Sequence, residues 1–385
     1  MLYLKYQKVP NYFAMKKEAS VLSINASQSE KMILHIPITQ VLPGMITARD
    51  IYSRNDQLIL VKGTKLLPNM IAKIMFYAIE SIYVYKAEED VNSESSYYDR
   101  VKRSEDFKNF KKTYDDVIVE IKDSVNQLLR YSNQVPEQQL LHKVEKIIKT
   151  SKNRFHLFEM IYCIHEFDDL TFIHSINVAL ICHVFGEWLQ MPPQEVKILT
   201  ICGLLHDIGK LVIPKEILNK PGPLSKEEYE IVKDHPEQGY LLLLNHKMDE
   251  RIRLAALQHH ERYDGKGYPL CKYGNEINPF SMIVAIADVY DAMTSKRVYR
   301  GAICPFDVLK LFEEEGKQQY DVKYLIPLIQ KIAEIYINHT VKLNNNQKGE
   351  IILLNKNCLS RPVIKVGNEF IDLSKHNDLR IEAVI

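Results

Sequence analysis

The hydrophobic positions divide the chain into three stretches of different period. From Ile33 to Tyr85 they come in short β-branched and aromatic runs, ILHIPI, LILV and SIYVY, separated by Leu42-Pro43-Gly44-Met45 and Lys62-Gly63-Thr64. Runs of that length bounded by Gly and Pro predict strands joined by tight turns, and Asn69 to Ile79 predicts one helix between the last two. Beyond residue 100 the spacing changes to three and four. Phe107, Phe110, Tyr114, Val117, Ile118, Ile121, Val125, Leu128 and Leu129 define one long amphipathic helix, Glu137 to Thr150 a second, and helical spacing continues to about His339. The tail returns to strand-like runs, EIILL, RPVIKV, EFIDL and LRIEAVI, with Asn- and Gly-rich turns between them.

The expected fold class is therefore mainly α, an all-helical domain flanked by a small N-terminal α+β module and a short C-terminal β element. Residues 1–30 form an extension with no assigned role. Residues 31–86 are the α+β module. Residues 87–150 hold a polar connector, the acidic and Ser-rich stretch Lys86 to Arg100, and the amphipathic helices. Residues 151–340 are the helical domain and 341–385 the β element.

Composition narrows the functional classes. The 385 residues, 46% hydrophobic and 26% charged, suffice for two or more domains with a sizeable core. A net charge of +1 removes the usual argument for a nucleic-acid or anionic-membrane surface and leaves room for a local basic pocket. No apolar run approaches the roughly 18 residues of a membrane span, and MLYLKYQKVPNYF lacks a signal-peptide core, so the expected location is cytoplasmic. The six cysteines, at 163, 182, 202, 271, 304 and 358, form no C-x-x-C pair, which argues against a zinc knuckle and a disulfide framework.

The chemistry gathers in the helical part. Seven of the 13 histidines lie between His174 and His260. His174 falls in TFIHSINVALICHVF, His206-Asp207 ends LTICGLLHDIGK, His235 precedes Pro236, and His259-His260 opens HHERYDGKGYP. A lone histidine on an apolar helix is usually a satisfied core residue, but five such positions, with Asp207 and Asp288, each set among apolar neighbours, point to a metal site. Counting ligands suggests two ions. One takes His174, His206, Asp207 and Asp288; the other takes His235, His259, His260 and the second oxygen of Asp207. A bridging carboxylate holds two ions roughly 3.5 to 4 Å apart, where a shared water becomes hydroxide near neutral pH and serves as nucleophile. Nitrogen and oxygen donors without thiolate fit iron or manganese, with zinc still compatible.

The substrate side is read from the same segments. Lys210 lies near the metal-facing side and can neutralise phosphate charge, and Arg297 and Arg300, after Asp288 and Asp291 in IADVYDAMTSKRVYR, can grip a phosphodiester. Tyr268, held by Pro269 and the Asp-Gly-Lys-Gly turn, is a candidate substrate contact. Asp264 and Asp291 are candidates to support ligands or arginines from behind. His165, His183, His246 and His339 have no such setting and read as structural.

Together these motifs resemble the HD-GYP phosphodiesterases, a branch of the HD hydrolases that cleaves cyclic di-GMP. HDIGK, HP-x-x-G at His235, HHE-x-x-DG-x-GYP and D-x-x-DAMTS-x-R-x-YR occur in the family's order between about Arg154 and His339, and the LPGM, KGT and RPV…IDLS segments look like flanks of many members. The resemblance implies that His174, His206, Asp207, His235, His259, His260 and Asp288 bind metal, that Lys210 contacts the scissile phosphate, and that Arg297 and Arg300 grip the substrate phosphates. Some members hold a third metal through a glutamate four residues before the first histidine. Leu170 stands there, so a two-metal site is expected, unless Asp168 or Asp169 substitutes. Val298 replaces a frequent proline. The implied activity is hydrolysis of cyclic di-GMP to linear pGpG, with further cleavage to GMP left open, and with Asp207 and Lys210 catalytic. The alternatives are an HD hydrolase of another cyclic dinucleotide or nucleotide phosphoester, and a non-catalytic cyclic di-GMP receptor acting through a protein partner at the GYP loop. The complete ligand set argues against the receptor. A homodimer fits either, and the module at 31–85 is the candidate regulator.

Overall fold

The computed structural model describes residues 33–385 apart from 39–40, 54–56, 78, 80, 86–96, 131–136, 165–169, 219, 221–224 and 295–302. The N-terminal part holds β1 (Ile33–Pro37), β2 (Ile46–Thr47), β3 (Ile51–Tyr52), β4 (Leu58–Leu60), α1 (Pro68–Phe76) and β5 (Ser81–Tyr85). An antiparallel sheet runs β1-β5-β2, and β3-β4 form a separate pair. The two predicted turns carry Gly44 at φ 93 and Gly63 at φ 84, the left-handed region that favours glycine. Pro68 starts α1, where its fixed φ suits the first helical turn.

The helical body follows as α2 (Tyr97–Arg103), α3 (Glu105–Arg130), α4 (Glu137–Ile148), α5 (Arg154–Cys163), α6 (Leu170–Trp188), α7 (Pro193–Leu205), α8 (Lys215–Leu218), α9 (Lys226–Lys233), α10 (His235–Asn245), α11 (Glu250–Gln258), α12 (Pro279–Thr294), α13 (Pro305–Leu311), α14 (Lys317–Gln319) and α15 (Val322–Ile335). The polar connector expected to reach Arg100 is already helical from Tyr97, because Val101 packs against the core. Helices α6, α7 and α12 are apolar on nearly every face and lie at the centre. Helix α3 is amphipathic and buries Phe110, Tyr114, Val117 and Ile121 while leaving Val119 exposed. Gly203 brings α7 close to α6, since a Cβ there would stand 2.8 Å from the Val178 carbonyl oxygen.

The tail forms an antiparallel sheet ordered β10-β6-β7-β8-β9, from β6 (Thr340–Leu343), β7 (Lys348–Leu353), β8 (Val363–Val366), β9 (Glu369–Asp372) and β10 (Ile381–Val384). Four of the five strands fall on the predicted runs; β6 is additional and starts directly after His339. Glu313 ties this sheet to the helices by accepting the Ser360 hydroxyl at 2.6 Å. The N-terminal module packs against the same region. Phe76 meets Phe312 and Tyr320 edge-on at 5.8 and 5.9 Å, and Lys73 pairs with Glu315 at 2.8 Å. Residues 312–316 form a π-turn at that contact. No helix among the described residues is long and apolar enough to cross a membrane.

Candidate metal centre

Three of the candidate ligands sit where helices begin or end. His206 caps the C-terminus of α7, His259 caps α11, and His235 opens α10 just after α9. The last carbonyls of a helix lack intrahelical donors, and each ring uses one of them. Nδ1 of His206 donates to the Gly203 carbonyl at 2.7 Å, that of His235 to Val232 at 2.8 Å, and that of His259 to Ala256 at 2.9 Å. A neutral ring that donates from Nδ1 presents the lone pair of Nε2 at its other edge. His174 lies inside α6, where the carbonyls are already used, and its Nδ1 bonds instead to Asp291 Oδ2 at 2.7 Å.

The Nε2 atoms converge on Asp207 from two sides. Oδ1 lies 3.3 Å from His235 Nε2 and 3.5 Å from His259 Nε2. Oδ2 lies 3.4 Å from His206 Nε2 and 3.8 Å from His174 Nε2. Asp288 closes the second side, its Oδ1 3.0 Å from His174 Nε2 and 3.9 Å from His206 Nε2. His260 joins the first, where Asp207, His235, His259 and His260 each bring one donor atom within 4.8 Å of the others.

Charge and burial suit a cation here. Burial alone would raise the Asp207 carboxyl, but the Lys210 ammonium and the His206 ring hold it well below the usual carboxylate range. Asp288 is held low in the same way, mainly through its hydrogen bond to His174. Burial would lower His174, yet the hydrogen bonds and charges of Asp288 and Asp291 push it up to about 9. Burial takes His259 down to about 4 and His260 well below its ordinary value. Those two rings are neutral at pH 7, the form that binds a metal. His206 Nε2 and Asp207 Oδ1 are buried without a hydrogen-bond partner. Leaving such atoms unsatisfied costs roughly 1–3 kcal/mol each, and a divalent ion on each side of Asp207 would satisfy them, so the residues present fit the group.

The HHE-to-GYP segment forms the adjoining wall. The Tyr268 ring stacks on His260 at 4.6 Å, and the Tyr268 backbone N–H donates to the His260 carbonyl at 3.2 Å. Glu261, buried, accepts the N–H groups of Leu270 at 2.7 Å and Lys272 at 3.0 Å, which draws the loop back over the histidines. Gly267 passes so close to the start of this segment that a Cβ would lie 2.4 Å from the Arg262 nitrogen. A crevice beside His259 and His260 is lined by Gly267 and Tyr268 and, from the N-terminal module, by Ser53 and Phe76.

The other predicted residues are placed as follows. Lys210 stands in a 3-10 turn (Ile208–Val212) and donates to Asp207 Oδ2 at 2.5 Å, with a quarter of its side chain exposed. Asp291 supports His174 from behind. Asp264, read from the sequence as a support for ligands or arginines, lies within the loop on an arginine: it accepts Arg262 at 2.6 and 3.1 Å and the Lys266 N–H at 3.1 Å, because these neighbours lie within two residues of it. Arg297 and Arg300, and the aspartates at 168 and 169, lie outside the described residues, and α6 begins at Leu170. His183 sits away from the cluster, its Nδ1 3.3 Å from the Thr200 hydroxyl. Two functional neighbours went unread in the sequence. Asn177 donates to Asp291 Oδ1 at 3.0 Å, and its signal was its position three residues after His174 on the same helix face; Glu261 was signalled only by following the histidine pair.

A helical body that gathers five histidines and two aspartates, from helix ends and from within α6 and α12, into a buried, two-sided cluster defines a class of domain able to bind metal. Residues 120–324 match the family described as HD domain, and the chain belongs to that family, in its HD-GYP type. The family is metal-dependent. A cyclic di-GMP phosphodiesterase of Pseudomonas aeruginosa is 30% identical over 200 residues, 52% of this chain and 48% of that protein. A cyclic di-GMP phosphodiesterase response regulator of Xanthomonas campestris is 36% identical over 168 residues, 43% of this chain and 44% of the relative. A 3′3′-cGAMP-specific phosphodiesterase of Vibrio cholerae is 39% identical over 145 residues, 38% of this chain and 34% of the relative. The chain thus spans about half, or less, of the length of these relatives.

Proposed function

We propose that this chain is a metal-dependent cyclic dinucleotide phosphodiesterase that opens cyclic di-GMP to linear pGpG. The observation that carries the proposal is the position of Asp207, whose two oxygens face separate sets of neutral or hydrogen-bonded imidazoles. His174, His206, Asp207 and Asp288 would hold one divalent ion, and His235, His259, His260 and Asp207 a second, with iron or manganese favoured by the all-nitrogen and oxygen donors. Bound there, such a pair supplies Lewis acidity and a water made nucleophilic near neutral pH.

The protein's own part is to hold donors and charge in place. The Nδ1 hydrogen bonds fix each ring's orientation, so that little reorganisation is left for the reaction. Lys210 offsets the Asp207 charge from the rim of the cluster, and its partial exposure lets the ammonium meet a phosphate oxygen. Tyr268, stacked on His260, borders the place where the sugar or base beside that phosphate would rest. Arg297 and Arg300 are assigned to the substrate phosphates.

The 3′3′-cGAMP-specific relative favours a second reading, in which the preferred ring contains one adenine. Steady-state hydrolysis of cyclic di-GMP and 3′3′-cGAMP separates the two, and a higher kcat/KM on 3′3′-cGAMP would overturn the first. In the same assay Arg297→Ala and Arg300→Ala should each lose about 1.5–3 kcal/mol, roughly ten- to a hundredfold in kcat/KM, with metal content retained. Lysine replacements should recover only part of this, because an ammonium lacks the guanidinium fork. Wild-type efficiency in both alanine variants would remove the arginines from the site.

A further inference from the structure

His174 differs from the other ligand candidates in what stands behind it, and the difference continues through the core. His206, His235 and His259 rest on helix carbonyls, whereas His174 rests on a carboxylate. That carboxylate is itself held: Asp291 Oδ2 faces His174 Nδ1 at 2.7 Å and Oδ1 accepts the Asn177 amide at 3.0 Å. An ionised carboxylate only accepts, so the Asn177 NH₂ must face Asp291 and its oxygen must face the other way. The Tyr114 hydroxyl meets that oxygen at 2.7 Å. Tyr114, Asn177 and Asp291 are all buried. The same hydroxyl also lies 3.1 Å from the Ile173 carbonyl oxygen, so Asn177 depends on this bond more than Tyr114 does, and water cannot replace it in so buried a setting. Tyr114 lies on α3, six residues before the first residue matched by the HD domain family.

We infer that Tyr114 and Asn177 are positioning residues for the metal centre: Tyr114 fixes Asn177, Asn177 fixes Asp291, and Asp291 sets the ring orientation and basicity of His174 as a ligand. The chain of bonds makes α3 part of the centre although it supplies no donor atom to it. The inference rests on the metal reading above and not on the choice of substrate. Its chemistry is that of a support behind a ligand, where loss of a direct partner lowers metal affinity by about 10–100-fold. The effect should fade with each step away from the ring.

The test is Mn(II) binding by metal-depleted full-length protein, followed by calorimetry, for wild type, Asp291→Asn, Asn177→Ser and Tyr114→Phe. The expected result is a graded weakening of the affected site, largest for Asp291→Asn, smaller for Asn177→Ser, and about three- to tenfold for Tyr114→Phe, whose hydrolytic activity then recovers in excess Mn(II). Phe110→Leu is the control, because it removes a ring packed against Tyr114 at 5.9 Å while leaving every hydrogen bond of the chain in place. Mn(II) affinity within twofold of wild type in both Tyr114→Phe and Asn177→Ser would overturn the inference, as would equal weakening by Phe110→Leu. If Tyr114→Phe does not fold, Asn177→Ser decides alone. A wild-type protein that binds no Mn(II) would instead overturn the metal reading, and the inference with it.

Discussion

Asp207→Ala should remove hydrolysis altogether and take the metal with it. The Asp207 carboxylate meets both halves of the cluster: one oxygen lies within 3.5 Å of His235 and His259, the other within 3.8 Å of His206 and His174. On the two-ion proposal its loss would deprive each ion of a donor and remove the bridge between them, and it takes away the carboxylate that Lys210 meets at 2.5 Å. The expected outcome is activity below about a hundredth of wild type and less than half the wild-type metal content by elemental analysis. His183→Ala, away from the cluster on the same helix as His174, should leave both quantities nearly unchanged. Full metal occupancy in Asp207→Ala would show that the two sets of imidazoles do not share this carboxylate.

Gly209→Ala should be nearly as damaging, through the backbone instead of a ligand. A Cβ at residue 209 would lie 1.9 Å from the His235 carbonyl oxygen and 2.6 Å from the Gly239 nitrogen. Both neighbours belong to the α10 backbone, so relief requires moving the helix that carries His235 away from the turn that follows Asp207. The expected cost is about 3 kcal/mol or more in denaturant unfolding of the metal-free protein, at the high end for overpacking, together with loss of metal. Gly186→Ala is the comparison. Its nearest neighbour is a Val196 methyl at 3.1 Å, a side chain that can give way, so that variant should cost about 1 kcal/mol and keep its metal. A Gly209→Ala protein as stable and as metal-loaded as wild type would contradict the close approach of the two elements.

The parts of this structure that were legible in the sequence are those set by local period and spacing. The three- and four-residue recurrence from Phe107 to Leu129 falls within α3, and the Gly44 and Gly63 turns lie where the short apolar runs break. The histidines were visible because they recur between residues 174 and 260, two of them on the apolar segments TFIHSINVALICHVF and LTICGLLHDIGK, where an unpaired ring is costly to bury. Their division into two sets came from counting donors, and the structure brings the same residues together about Asp207. What escaped was set by distance along the chain. Tyr114 meets Asn177 across 63 residues, and Asn177 meets Asp291 across 114, contacts that no spacing rule announces. The need for Asp291 behind His174 also follows from position within the helix: a ring at a helix C-terminus finds an unused carbonyl, and His174, in the second turn of α6, does not. Of the two supports named in the sequence, ligand or arginine, Asp264 takes the arginine. The charge within its reach is Arg262, two residues away. β6 was hidden because TVKL is short and follows directly on helical spacing.

The most direct test of the central claim is product analysis combined with metal counting on one preparation. Protein purified without oxygen and supplied with iron(II) or manganese(II) is analysed for bound metal, then incubated with cyclic di-GMP before and after chelation, and the nucleotides are separated by chromatography. The account predicts about two ions per chain, conversion of cyclic di-GMP to linear pGpG, loss of that conversion on chelation and its return when metal is restored. A metal-replete protein that leaves cyclic di-GMP intact, or one that cleaves it equally well after its metal has been removed, would contradict it.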